Sequence, residues 1–252
     1  MPRIPANDVD HADAVEIATA AGQLLLEVRR ELAGAEPKVI KDEGDRRSQE
    51  FIAAALSARH PDDAVLSEEA VDDPTRLDAS RVWIIDPLDG TREFSEEGRS
   101  DWAVHVALVV DGALAAGAVA LPALGLTLGT MPPPPLPPPG PARPRILGSR
   151  TRLTPQIEAL AEQLGGDLVL MGSAGAKAMA VVRGEADVYA HSGGQYEWDS
   201  AAPVAVAAAA HLHVSRIDGS PLEYNRPNPY LPDLLICRPE LVDRVMEALA
   251  QQ

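Results

Sequence analysis

The chain has 252 residues, enough to bury a substantial core as one large domain or two modest ones. Its formal net charge of −16 argues against a nucleic-acid backbone or an anionic membrane surface as the main partner. A single cysteine, Cys237, excludes an internal disulfide and a cysteine-rich metal site.

In chain order, the first residues lack a basic-then-apolar export pattern. No later run reaches the ~20 apolar residues of a membrane-spanning helix, so the cytoplasm is the expected location. Val15, Ala18, Ala21, Leu25, Val28 and Leu32 recur at three-and-four spacing, which predicts an amphipathic helix over 9–33. Asp8 or Asp10 is placed to cap it and Gly34 to end it. A polar loop is expected from Lys38 to Arg47, then a helix through Phe51, Ile52, Ala55 and Leu56 that stops at His60-Pro61. Strands follow at 64–67 and 82–85. The apolar runs Trp102–Val110 and Ala113–Ala120 flank Asp111-Gly112 and predict a hairpin. This half reads as two helices on a largely antiparallel sheet.

Between 132 and 144, nine of thirteen residues are proline, so the segment cannot join a sheet ladder and favours extended polyproline II. It is expected as a stiff surface spacer, with recruitment of a proline-binding module as the alternative. Beyond it, strands near 145–148, 167–171, 186–190, 211–215 and 233–237 alternate with helices over 154–164 and 173–183, after Trp198, and after Pro239. That alternation predicts an α/β layer. Leu234-Leu-Ile-Cys237 reads as a buried strand in which the cysteine is a small hydrophobe.

The chemistry concentrates in Val82-Trp-Ile-Ile-Asp86-Pro-Leu-Asp89-Gly-Thr91-Arg92, a buried strand emptying into two aspartates, a proline turn and a Gly-Thr. Val65-Leu-Ser-Glu68-Glu69 repeats the arrangement of carboxylates at a strand exit, and Asp199 opens an alanine-rich helix. Magnesium takes near-octahedral oxygen ligands, usually a few carboxylates plus substrate phosphate. Asp86 is placed to bridge two cations, with Asp89 holding one, Glu68 completing the first, and the Leu88 carbonyl as a neutral ligand. Such a pair activates water and stabilises the leaving oxygen of an in-line displacement. Gly90 and Thr91 would open a helix whose free N–H groups receive phosphate. Asp-Pro-x-Asp-Gly is also good turn chemistry by itself. The three carboxylate segments together point to a magnesium-dependent phosphatase.

Asp86-Pro-Leu-Asp-Gly-Thr91 and Trp198-Asp-Ser-Ala-Ala202 resemble the two signatures of the inositol monophosphatase superfamily. Asp86 through Phe94, with Gly172-Ser-Ala-Gly-Ala-Lys177 and Asp218-Gly-Ser-Pro-Leu222, resembles its CysQ-type 3′(2′),5′-bisphosphate nucleotidase branch. The resemblance runs from about residue 10 to the end. It implies a layered α-β-α-β-α sandwich of the inositol monophosphatase/fructose-1,6-bisphosphatase type (an α/β, α+β fold), lithium sensitivity, magnesium as cofactor and frequent homodimers. It further implies that residues 1–130 and 145–252, joined by 131–144, form one catalytic unit.

By the same resemblance, Glu68, Asp86, the Leu88 carbonyl and Asp89 match the first two metal positions, and Asp199 the acid that completes the second. Asp45 matches an aspartate that pairs with the motif threonine, Thr91. The two would orient the attacking water, with Glu68 also in the catalytic set and Asp45 reaching a third, weaker magnesium. Glu69 is an outer acid. Ser173, Ala174 and Lys177 match a loop facing the substrate, and Leu88, Asp89, Gly90, Thr91 and Asp199 line its other side.

On its own chemistry Lys177 suits a second phosphate, or is a solvated helix lysine. Arg92 suits a bidentate clasp on a second phosphate, or pairs with Glu93 or Glu96. His105, His211 and His213 read as core or surface histidines, since magnesium prefers oxygen. Trp198 and Tyr196 could contact a base, or Trp198 packs to position Asp199. No Walker loop or Gly-x-Gly-x-x-Gly is present.

Two departures from the family pattern stand out. The lead before Asp45 reads Lys41-Asp-Glu-Gly-Asp-Arg46, and the proline-rich stretch replaces ordinary sheet and loop.

The reaction expected is removal of the 3′-phosphate of 3′-phosphoadenosine 5′-phosphate, in sulfate-assimilation turnover. The alternatives are an inositol-1-phosphate or fructose-1,6-bisphosphate phosphatase, and a catalytically weak protein that binds a phosphorylated metabolite.

Overall fold

Asn7, not Asp8 or Asp10, caps α1 (Asp8–Glu31): its side chain accepts from the N–H groups of Val9 and Asp10, and Asp10 accepts from the Asn7 N–H in return. Asn closes the cap equally well, and Asp10 becomes the reciprocal partner. Gly34, at φ +85°, then turns the chain into α2 (Pro37–Arg59). The loop expected over 38–47 is therefore helical. Its polar residues are the solvent face of that helix: Lys38–Asp42, Arg46–Glu50 and Arg47–Glu43 pair at four-residue spacing. Pro37 sits at the start, where a missing N–H does no harm.

The structure is a computed structural model describing residues 6–251. Residues 1–5, on which the export-signal reading partly rests, and Gln252 lie outside the described residues. No helix among the described residues is long and apolar enough to cross a membrane.

β1 (Ala64–Ser67) runs parallel to β2 (Arg81–Asp89), which pairs antiparallel with β3 (Ala103–Val110). α3 (Thr91–Ser95) lies between β2 and β3 in the chain. β3 turns through Asp111 and Gly112, at φ 49° and 80°, into β4 (Ala113–Leu121), the paired positive φ values of a tight hairpin. β5 (Leu126–Gly129) closes the sheet, a run too short to carry a periodic signal of its own. β2 also outruns its expected end at 85, because its ladder resumes at Asp89 after a bulge.

The second sheet begins with β6 (Arg145–Ser149), then α4 (Pro155–Gln163), β7 (Asp167–Met171) and α5 (Ala174–Val182). β8 (Val188–Tyr196), α6 (Glu197–Ala209), β9 (His213–Ser215), β10 (Tyr230–Cys237) and α7 (Val242–Ala250) complete it. The strand order is β7-β6-β8-β10-β9, with β6 parallel to both neighbours and β10 antiparallel to both of its own.

Strands buried on both faces sort their side chains with period two. Trp83 and Ile85 of β2 face α1 and α2, while Val82 and Ile84 face α5 and α6. Leu234 and Ile236 of β10 join that central layer, and Leu235 and Cys237 face α4 and α7. The order of layers is therefore helix, sheet, helix, sheet, helix, the α-β-α-β-α sandwich expected from the sequence.

Segment 132–144 joins neither sheet. It lies across the surface and touches down at buried Pro137, whose carbonyl accepts from Arg238. Cys237 is buried in β10, and burial pushes its thiol up to about 12.

Candidate active site

β2 delivers the two aspartates. Asp86 accepts from the Leu88 N–H, 3.1 Å away, and folds Pro87-Leu88 into a turn. Ser48 of α2 donates to the Pro87 carbonyl at 2.7 Å and fixes that turn from behind. The bulge between Asp86 and Asp89 lets both carboxylates reach one cleft.

Asp89 sits against the start of α5. Its Oδ2 accepts from the Ser173 hydroxyl at 2.5 Å and the Gly175 N–H at 2.7 Å, and lies 3.2 Å from His105 Nε2. Asp199 arrives on the first turn of α6, with Oδ2 accepting from the Tyr196 N–H at 2.6 Å. Carboxylate oxygens of Asp86, Asp89 and Asp199 all fall within 4.8 Å of one another, a spacing suited to a hard cation. Glu68, just beyond β1, lines the same cleft close to Asp86, with its carboxylate turned in among the other acids.

So many carboxylates in one place repel each other. Burial, then the charges of Asp199, Asp89 and Glu69, hold Glu68 at about 7. Burial, then Asp89, raises Asp199 to about 6. Asp86 is pushed well above the usual range by burial and by Glu68. Asp89 alone is held low, because the donors of His105, Ser173 and Gly175 outweigh its burial. Groups shifted in opposite directions in one cleft mark a site that lacks positive charge.

Asp45 projects from α2 beside Thr91, and burial followed by Glu69 and Asp42 raises it to about 7. The Thr91 hydroxyl also lies 3.1 Å from the Leu88 carbonyl. It has one proton, so it serves the carbonyl or the carboxylate at any instant. Gly90, at φ +83°, opens α3 as expected, but that helix is a single turn with a small dipole.

The cleft, about 250 Å³, brings together Glu68, Asp86, Leu88, Asp89, Gly90, Thr91, Arg92, Ser173, Ala174, Lys177 and Asp199. Asp45 reaches it only through Thr91. Two expectations need correction. Lys177 is 4% exposed, not a solvated lysine, and its Nζ donates at 2.7 Å to both the Gly172 and Ser173 carbonyls. Two of its three donors are engaged there, and one is left for the cleft that it lines. Arg92 does not pair with Glu93 or Glu96, because Arg150 occupies both at 2.5 and 2.6 Å.

His105 is fully buried, as a core histidine, yet touches Asp89. Trp198 stacks on Tyr196 at 4.7 Å.

Sequence reasoning missed Arg152, Tyr189, His191 and Gln195 on the C-terminal wall. Arg152 follows the exit of β6, so the strand-exit rule that found Asp86 could have found it. His191 and Gln195 were hidden because β8 runs on through Gly193 and Gly194, both at positive φ, which reads as a loop.

A model of the inositol monophosphatase family matches residues 7–131 and 144–251. The chain belongs to the inositol monophosphatase family. The stretch that the match skips, 132–143, falls within the proline-rich segment.

Among named relatives of this family member is a 3′-phosphoadenosine 5′-phosphate phosphatase of Mycobacterium leprae. The two are 50% identical over 251 residues, covering 92% of this chain and 90% of the relative. The 3′(2′),5′-bisphosphate nucleotidase CysQ of Escherichia coli K12 is 30% identical, over 74% of this chain and 80% of its own. In solved structures, CysQ from Bacteroides thetaiotaomicron superposes with a TM-score of 0.77 at 27% identity, covering 91% of this chain and 97% of that one. Inositol monophosphatase II of Staphylococcus aureus MSSA476 superposes at 0.81 and 18% identity, covering 95% of each, and speaks to the fold alone.

Proposed function

We propose that this chain is a magnesium-dependent phosphatase that removes the 3′-phosphate of 3′-phosphoadenosine 5′-phosphate, giving AMP and inorganic phosphate. One observation carries the reading: Asp86, Asp89 and Asp199 converge within cation-binding distance in a chain half-identical to a protein named for that activity.

Asp86, Asp89, Asp199, Glu68 and the Leu88 carbonyl are the oxygen donors for two magnesium ions, with Asp45 a weaker donor for a third. Hard oxygen ligands without histidine or thiolate suit magnesium. Bound there, the cations supply a polarised water and a counter-charge for the phosphoryl oxygens.

The protein's own groups do the rest. Thr91 and Asp45 orient the attacking water, and Asp45 takes its proton when it is not itself holding a cation. The water oxygen forms the new bond to phosphorus, the bond to the 3′-oxygen breaks, and that oxygen takes its proton from a solvent water. Gly90 and Thr91 present free N–H groups at the start of α3 to the phosphate. Ser173 and Gly175 hold Asp89 by one oxygen, leaving its other oxygen for a cation. The cleft draws on both sheets, which supports residues 1–130 and 145–252 acting as one catalytic unit. We also read the enzyme as cytoplasmic, homodimeric and active in sulfate-assimilation turnover.

The test is phosphate release in magnesium from 3′-phosphoadenosine 5′-phosphate, fructose 1,6-bisphosphate and inositol 1-phosphate, with and without lithium. Preference for the nucleotide, abolished by lithium, is expected. Comparable rates on the sugar phosphates would retain the metal chemistry and remove the substrate. No turnover of any would overturn the reading.

A further inference from the structure

The cleft is lined by carboxylates and also, from the C-terminal half, by Arg152, His191 and Gln195. Arg150, two residues before Arg152, is locked onto Glu93 and Glu96, and Lys177 onto two carbonyls. Arg152 has no ion pair among the described residues, although it lies close enough to Asp199, Lys177, Tyr189 and His191 for its charge to weigh on each. A guanidinium in a cleft with no protein partner is well suited to a planar, bidentate hold on an anion.

Gln195 gives a second, independent sign. Its side chain is 4% exposed, it lines the cleft, and its Nε2 is buried with no hydrogen-bond partner. A buried donor left unpaired is destabilising, and such donors are rare unless something else completes them. His191 complements it. Its Nε2 is 2.9 Å from the Gly194 carbonyl and so carries the proton, which leaves Nδ1 as an acceptor. Burial lowers its pKa and keeps the ring neutral. Gly193 and Gly194, at φ 100° and 91°, bend β8 between the two side chains.

We infer that Arg152, Gln195 and His191 form the subsite for the part of the substrate that does not react, with Arg152 binding a second phosphate and Gln195 and His191 the nucleoside between the two phosphates. This rests on the proposed phosphatase reading and assigns its specificity to the C-terminal wall in place of Lys177. Gln195 donates to a ribose or base oxygen or nitrogen, and His191 accepts from a hydroxyl or an amine. A nucleoside monophosphate lacking the second anion forgoes only the Arg152 contact.

The test compares 3′-phosphoadenosine 5′-phosphate with adenosine 3′-phosphate, which carries the same reacting group but no second phosphate. Arg152→Ala is expected to lower kcat/KM on the bisphosphate by about 10–100-fold, chiefly through KM, and to leave adenosine 3′-phosphate within about twofold. Equal losses on both, or none on the bisphosphate, would overturn the inference.

Calorimetric binding of adenosine 5′-phosphate does not depend on turnover, so it separates failure of the subsite from failure of the phosphatase reading. Weakening by about 10–100-fold in Arg152→Ala supports the subsite even if the wild type hydrolyses neither nucleotide; unchanged binding overturns it. Gln195→Leu should weaken the same binding severalfold without lowering the melting temperature of the free protein, because it removes an unpaired donor. A lower melting temperature with unchanged binding would make Gln195 structural and remove it from the subsite.

Discussion

His105 lies between Asp89 and the start of α6: Nε2 is 3.2 Å from Asp89 Oδ2, and Nδ1 is 3.0 Å from the Trp198 carbonyl. The Trp198 carbonyl accepts from Nδ1, while Nε2 makes no hydrogen bond despite its closeness to Asp89, so the contact with Asp89 is one of charge and forms when the ring is doubly protonated. Asp89 raises the His105 pKa against the effect of burial, and His105 in turn keeps Asp89 low. Removing one member of such a buried pair strands the other, at about 3–5 kcal/mol. His105→Ala should therefore destabilise the metal-free protein by about that much. Magnesium, taking over the neutralisation of Asp89, should restore part of it. Denaturant unfolding with EDTA and with magnesium measures both; an identical loss in the two would show that His105 does not share charge compensation with the cation.

Asp89→Asn keeps the shape of the side chain but not its lone pairs. To accept from Ser173 and Gly175 the amide must turn its oxygen to them, which aims its NH₂ at the cation position. Phosphate release should fall by at least about 1000-fold, equivalent to ~4 kcal/mol, with the circular dichroism spectrum unchanged. Retained turnover would remove Asp89 from the metal ligands.

Stability should couple magnesium to pH. Asp45 and Glu68 at about 7 and Asp199 at about 6 lie above their unfolded values near 4. Between pH 4 and 7 the folded, metal-free protein holds more protons at these groups than the unfolded chain. Their contribution to stability is thus full at the acid end and lost as pH rises through the folded values. Magnesium competes with those protons, so the rise in melting temperature it produces should be larger at pH 8 than at pH 5. An equal rise at both would contradict the assignment of these carboxylates to the cation site. Asp89, held low, has the opposite sign and does not contribute in this window.

Gly175 is fixed by steric contact. A Cβ there would lie 2.1 Å from His105 Nε2 and 3.1 Å from the Ala103 Cβ. Gly175→Ala should lower stability by about 1–3 kcal/mol and activity with it. If the clash with His105 is the cause, adding Gly175→Ala to His105→Ala should cost about nothing further, a non-additivity that a double-mutant cycle reads directly.

Much of the site could be read from the sequence because its strand exits are local. Apolar runs ending in Asp86, Asp89 and Glu68 carry the chemistry in a few consecutive residues, and Asp111-Gly112 announces its own hairpin. What stayed hidden depends on partners distant in the chain. The charged face of α2 reads as loop because only the helix brings Lys38 to Asp42 and Arg46 to Glu50. Lys177 and Arg92 were read by residue type, but their roles turn on Gly172, Ser173 and Arg150. Gln195 and His191 sit on a strand that two glycines disguise.

The position of Lys177 has a consequence for how cations enter. Its ammonium is folded back beneath the first turn of α5 and holds the carbonyls of Gly172 and Ser173. Ser173, at φ +35°, is kept in a backbone conformation that a serine otherwise avoids. Opening this loop would leave a buried ammonium without acceptors while its burial already draws it down to about 8. The conformation of this loop is thus held by the protein's own contacts. Asp89 is anchored by one oxygen with the other left free, so the ligand a cation would need is already aimed before any cation arrives.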